Sequence, residues 1–197
     1  MSHYFINDPN LKDDYRYYDI HLKGISFRFY TQSGVFSQKG LDFGTKTLLE
    51  NIIIPDSAQT IIDVGCGYGP LGIIFAKANP KMKVIMVDVN KRALELAELN
   101  AKENNVDNID IIESDLLKQV HTNADVIMTN PPIRTGKQNI FRLYEESYSK
   151  LNSGGFFYCV IQKKQGAPST LKKLQSLFVE AEVIRREKGY WVILARK

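Results

Sequence analysis

Two short segments carry residue types that could do chemistry together. The first runs from Asp63 to Gly69 and reads DVGCGYG, with glycines at 65, 67 and 69. Glycine at alternate positions lets the chain turn sharply and lets a ligand approach the backbone closely. Nineteen residues beyond Gly69 stands Asp88, a spacing at which an acid can accept hydrogen bonds from both hydroxyls of a ribose. Asp63, beside the loop, would repel a pyrophosphate but suit a cation. The combination describes a nucleoside-type ligand carrying positive charge. A tight structural turn followed by a solvated strand end is the bland alternative. The second segment is Asn130-Pro131-Pro132-Ile133. The prolines stop a strand and stiffen the chain after it. The Asn130 side-chain oxygen and the Pro131 carbonyl could then accept the two hydrogens of a planar exocyclic amine. An in-line displacement at such an amine needs proximity, alignment and stabilised charge.

Both segments must be held at strand ends, and the pattern supplies such ends. Apolar runs rich in β-branched residues fall at 60–64, 83–88, 109–113, 124–129 and 156–162. Helical patterns separate most of them, at 70–78, 91–104 and 137–150, with Asn90 able to cap the second. This alternation implies βαβ units with right-handed crossovers and a mostly parallel sheet covered on both faces. After a helix near 169–179, runs at 181–186 and 190–195 lie too close together for a crossover and predict an antiparallel hairpin. A strand pair within 17–33 and a helix from about 40 to 53 precede the core. The expected fold is α/β: a doubly wound, seven-stranded sheet ending in an antiparallel hairpin. Residues 1–58 form an extension packed on a core of 59–197, one compact domain overall.

The loop spacing G-x-G-x-G and the acid before it resemble motif I of the S-adenosylmethionine-dependent methyltransferases with a Rossmann-like fold. They depart from the G-x-G-x-x-G fingerprint of nicotinamide-dependent dehydrogenases. The resemblance implies that Asp63, Gly65, Cys66, Gly67 and Gly69 hold the methionine moiety of S-adenosylmethionine, the product being S-adenosylhomocysteine. It implies that Asp88, with Val89 beside it, holds the ribose, and that Asp115 and Leu116 meet the adenine. Taken alone, Asp115 reads equally as a helix cap or loop acid. Asn130, Pro131, Pro132 and Ile133 become the catalytic loop, with Asn130 reaching both cofactor and acceptor.

Three further segments narrow the resemblance: GVFS at 34–37 with LDFGTKTLL at 41–49, NPPIRTGK at 130–137, and QKKQGA at 162–167. They are similar to the small-subunit (16S) ribosomal RNA guanine-N2 methyltransferase C-type family, as a single-domain relative. That resemblance implies a guanine N2 amine in ribosomal RNA, naked or in the small subunit, as the acceptor. Phe36 would line the base pocket, and Arg134, Lys137, Lys163 and Lys164 would contact phosphate. The alternatives are a core role for Phe36 and solvated charges for the others. Ile133 stands where N-methylating relatives carry an aromatic residue, so another amino or amide nitrogen (a protein glutamine, an adenine, a small molecule) stays open. So does a non-catalytic RNA-binding or assembly module.

Composition agrees with this frame. The chain has 197 residues, 44% hydrophobic and 24% charged, with net charge +4, which excludes a disordered, collagen-like or coiled-coil architecture. Residues 163–197 hold nine Lys or Arg against three Glu. That stretch is either a face for a polyanion or a solvated surface. No apolar run reaches the roughly 20 residues of a membrane helix, and no signal peptide is evident. The expectation is a cytoplasmic protein, monomeric or homodimeric. Cys66 and Cys159 should be reduced thiols. His3, His21 and His121 are scattered, and no metal site is expected.

Overall fold

The computed structural model describes residues 14–22, 24–33, 35 and 40–197, the side chain of residue 134 excepted. Strands β1 (Arg16–Leu22) and β2 (Ile25–Thr31) form an antiparallel hairpin, followed by helix α1 (Phe43–Asn51). The core then runs β3 (Thr60–Val64), α2 (Pro70–Ala78), β4 (Lys83–Asp88), α3 (Lys91–Glu103), β5 (Ile109–Glu113) and β6 (Ala124–Thr129). It continues through α4 (Lys137–Lys150), β7 (Leu151–Gln162), α5 (Ala167–Leu177), β8 (Glu180–Glu187) and β9 (Tyr190–Arg196). The seven core strands lie in the order β5-β4-β3-β6-β7-β9-β8. All pairs from β5 to β7 are parallel, and the two pairs involving β9 are antiparallel. The expected doubly wound sheet with a terminal hairpin and an N-terminal strand pair is the one observed. No described helix is long and apolar enough to cross a membrane.

The chain leaves β3 toward one edge through β4 and β5, then returns to place β6 on its other side. The order therefore reverses between β3 and β6, where a crevice opens beyond the strand carboxyl ends. The period-2 alternation of the strands feeds two apolar layers. Ile61, Val84, Met86, Val126 and Met128 face α2, α3 and the N-terminal hairpin, while Ile62, Ile85, Val87 and Ile127 face the layer of α4 and α5. Phe27 and Phe29 of β2 are buried in the first layer, whereas Tyr15 and Tyr17 are exposed. These aromatics thus divide between core and surface.

Two asparagines of α3 bind the hairpin to the core. Arg28 N donates to Asn104 Oδ1 and Tyr30 N to Asn100 Oδ1, at 3.1 and 2.7 Å. The Nδ2 groups of the same side chains donate back to the Arg28 and Tyr30 carbonyls, at 2.8 and 3.0 Å. The side chains replace a neighbouring strand along β2 and satisfy an edge that would otherwise be open. In the sequence these residues read only as polar positions on an amphipathic helix.

Strand β7 begins at Leu151, five residues before its expected start. Its pairing with β6 shifts register between Ala124 and Val126. A bulge holding Gly154, at φ 76°, and Gly155 carries the strand back to the end of α4, through an Asn-Ser-Gly-Gly run whose residue types are those of a loop.

Glycine also sets how closely α2 lies on the sheet. A Cβ on Gly72 would fall 2.6 Å from Met86 Cγ. Gly72→Ala is expected to overpack this contact and lower stability by about 1–3 kcal/mol. Urea denaturation checks this, and an unshifted midpoint with an unshifted slope would contradict the packing account.

Candidate active site

Loops at the carboxyl ends of β3, β4, β5 and β6 build the site, and α1 closes one side. After β3 the chain makes three left-handed steps, Gly65, Gly67 and Gly69, at φ 72, 57 and 92°. The amides of Gly65 and Cys66 donate to the Val87 carbonyl at 2.8 and 3.0 Å, tying the loop to the end of β4. Asp88 is 4% exposed. Its two carboxylate oxygens accept the Gly67 and Asn90 amides, each at 2.9 Å. Asn90 caps α3 as expected, accepting Ala93 N at 3.1 Å, and Val89 between them is partly exposed.

Asp63 is buried, and its Oδ2 accepts Gly72 N in the first turn of α2 at 3.0 Å. Burial pushes its carboxyl up to about 7; the Gly72 donor opposes the rise, and the charge of Asp88 adds to it. A buried acid with this balance favours a cationic neighbour. Burial also drives the Cys66 thiol upward, so that residue contributes backbone and not a nucleophile.

The loop after β5 is braced from α4. Asp115 bonds to Lys118 Nζ at 2.6 Å and to Arg142, and Lys118 first, then Arg142, holds its carboxyl below the usual range. The Leu117 amide donates to Glu146 of α4 at 2.9 Å. Leu116 adopts φ 54°, its carbonyl accepting the Ser114 hydroxyl at 2.7 Å. Asp115 and Leu116 therefore stand at the end of β5 as expected, with the Asp115 carboxylate already engaged by two cations.

The fourth loop is stiff. Thr129 Oγ1 donates to the Val64 carbonyl at 2.8 Å, clamping the end of β6 to the end of β3. Pro131 is buried, and its carbonyl accepts the Ile133 amide at 2.8 Å, leaving it one lone pair. A Cβ on Gly65 would lie 3.8 Å from Pro132 Cδ, so the proline and glycine loops are neighbours across the crevice. Ile133 is half-buried and packs on the α4–α5 layer.

Asn130 is anchored from α1. Its Nδ2 donates to Thr45 Oγ1 at 3.0 Å and to both oxygens of Asp42 at 3.3 Å. A carboxylate only accepts, which settles the direction of the carboxamide. In the sequence Asp42 and Thr45 belong to the LDFGTKTLL segment, which by itself gives them no role at the site. Asp42 ahead of a helix carries a capping signal, and its Oδ1 does accept the Gly44 and Thr45 amides at 2.9 and 3.2 Å. That local role conceals the long-range one.

The expected substrate contacts separate. Lys137 is exposed with Nζ 5.1 Å from the Phe141 ring centroid. Lys163 and Lys164 are exposed on a one-turn 3₁₀ segment after β7, and Lys163 N donates to the Gly189 carbonyl in the β8–β9 turn at 2.8 Å. Phe36 and His3 lie outside the described residues, as does the side chain of Arg134. His21 and His121 are exposed, and both cysteines are buried free thiols.

Comparison with known proteins sets this geometry in a lineage. The chain is 41% identical, over 100% of its own length and 98% of the relative's, to the uncharacterized protein YbxB of Bacillus subtilis (strain 168). It is 30% identical to the ribosomal RNA small subunit methyltransferase C of Shewanella amazonensis, over 96% of this chain and 55% of that protein. It thus spans about half the length of the curated relatives bearing that name. The fold matches a T. thermophilus 16S rRNA N2 methyltransferase in complex with AdoMet and guanosine, with a TM-score of 0.82 at 22% identity, over 96% of this chain and 51% of that one. A methyltransferase from Pyrococcus furiosus matches with a TM-score of 0.66 at 21% identity, over 77% of this chain and 80% of that one. The profile of the methyltransferase small domain matches residues 26–194; the chain belongs to that family.

Proposed function

We propose that this protein transfers a methyl group from S-adenosylmethionine to the exocyclic N2 amine of a guanine in small-subunit ribosomal RNA. The observation that carries the reading is Asn130: its carboxamide nitrogen is fixed at the start of α1, which leaves its oxygen as the acceptor, on a proline loop that neighbours the glycine loop through Pro132.

The cradle fits the cofactor. Three left-handed glycines open the backbone, and the buried Asp63 has the balance that a cation would satisfy. Asp63 and the 65–69 loop would hold the methionine end. Asp88, at the end of β4 beside the glycine loop, would accept the ribose hydroxyls, with Val89 alongside. Asp115 and Leu116 would border the adenine. When bound, the cofactor supplies an electrophilic methyl on a sulfonium.

The chain's own residues supply alignment. Asn130 Oδ1 and the Pro131 carbonyl would accept the two N–H groups of the guanine amine and aim its nitrogen along the displacement axis. The same two oxygens favour the positive charge that develops on that nitrogen. Ile133 supplies a packed shoulder to the loop. No aromatic face is needed from it if the base is covered by Phe36.

The relatives' names and the Thermus ligands support the RNA assignment, as does the basic composition of residues 163–197. Arg134, Lys137, Lys163 and Lys164 would meet phosphate. Lys163→Glu with Lys164→Glu is expected to weaken RNA binding about 10-fold or more at low salt and to reduce the slope of log K against log salt by roughly 2. An unchanged slope in filter binding would return both lysines to plain surface. The function itself is tested by nucleoside mass spectrometry of small-subunit RNA from cells lacking the gene. One N2-methylguanosine should disappear and return on complementation; an unaltered nucleoside profile would refute the assignment.

A further inference from the structure

Asn130 works as an acceptor only if its amide faces one way. Rotated by half a turn, the carboxamide would present Nδ2 to the substrate, and two N–H donors would confront each other. In the observed orientation Nδ2 meets two oxygens of Asp42 and the Thr45 hydroxyl. Rotation would instead set Oδ1 against a carboxylate, so the charge of Asp42 forbids it. Asp42 is itself immobilised, because Oδ1 also caps α1 through the Gly44 and Thr45 amides. Thr45 is 6% exposed. A negative charge on the nitrogen side of an amide also draws electron density toward its oxygen, which strengthens Oδ1 as an acceptor.

Resting on the methyl-transfer reading above, we infer that Asp42 and Thr45 are positioning residues that lock the Asn130 carboxamide with its oxygen toward the acceptor amine. The N-terminal segment thereby completes the active site, in addition to covering the core. Tyr18 links the two parts: its hydroxyl lies 2.7 Å from the Tyr68 hydroxyl of the glycine loop, and the charge of Asp42 acts on it.

The test separates the helix cap from the lock. Ser caps a helix as well as Asp but is too short to hold Asn130, so Asp42→Ser preserves the fold and removes the contact. Thr45→Val removes the other contact in nearly the same volume. Each is expected to lower kcat about 10- to 100-fold, with KM for RNA and cofactor Kd within about 3-fold. Thr45→Ser should recover most of the loss. Combined with Asn130→Ala, neither should reduce kcat further, since both act through Asn130. Amide-proton NMR of the cofactor-free protein gives a readout independent of turnover. The Asn130 side-chain NH₂ pair should shift in Asp42→Ser and exchange faster with solvent. Wild-type kcat and an unmoved NH₂ pair in Asp42→Ser and Thr45→Val, while Asn130→Ala is inactive, would overturn the lock and leave the methyl-transfer reading intact. Full activity in Asn130→Ala would overturn both.

Discussion

Asn130→Ala is expected to lower kcat by about 10²–10³-fold while cofactor affinity stays within a few-fold. Deleting one preorganised group at a site of developing charge carries a penalty of that size. The group at issue aligns the amine and lowers the energy of the positive nitrogen, both of which matter most in the transition state. Loss of ground-state binding alone would raise KM and spare kcat. The fold should survive, because Asp42 keeps its bonds to the start of α1 and Thr129 keeps β6 clamped to β3. Steady-state kinetics with RNA and calorimetry with S-adenosylmethionine check the two halves. A variant with normal kcat, or one that loses the cofactor instead, would contradict the assigned role.

The second large effect is on pH. The unliganded protein holds a proton on Asp63 below about 7, chiefly because the carboxyl is buried. A cationic methionine moiety favours the ionised form. Below pH 7, binding must therefore expel a proton, and each unit of acidification costs about 1.4 kcal/mol, a factor of 10 in affinity. Affinity for S-adenosylmethionine should rise roughly 10-fold per unit as pH increases toward 7, then level off. The sign for stability is opposite. With the folded value raised above the ordinary carboxyl value, the native state binds more protons than the unfolded one between about pH 4 and 7. This group's contribution to stability without ligand accordingly falls as pH rises through that window. Asp63→Asn should bind more weakly at pH 8 and show a flatter profile. A pH-independent affinity in the unmodified protein, or an equal slope in the variant, would remove Asp63 from the cation site.

The legibility of this molecule from its sequence follows the range of the interactions involved. Core strands such as Thr60–Val64 and Lys83–Asp88 announce themselves because burial on two faces demands continuous β-branched apolar residues. The Gly65–Gly69 loop and Asn130–Pro132 are visible because their backbone geometry restricts which residues can serve. The early start of β7 was missed because its bulge uses the same Asn, Ser and Gly residues as a loop. Asn100 and Asn104 were missed because their partners on β2 lie some seventy residues away along the chain. Asp42 was missed because its helix-cap role accounts for it fully within the local sequence, while its contact with Asn130 spans eighty-eight residues. At Asp115 the sequence points to the right strand end, and the pairing with Arg142 appears only once α4 is packed beside it.

The most direct measurement of the central claim uses purified protein and methyl-labelled S-adenosylmethionine. Small-subunit RNA, assembled subunits, DNA and total protein from cells lacking the gene are offered as acceptors, and the labelled nucleoside or amino acid is identified after digestion. Label recovered as N2-methylguanosine from small-subunit RNA, and absent with Asn130→Ala, is the predicted result. Label in adenine or in a protein amide, or no label in any fraction from protein that binds the cofactor, would contradict it.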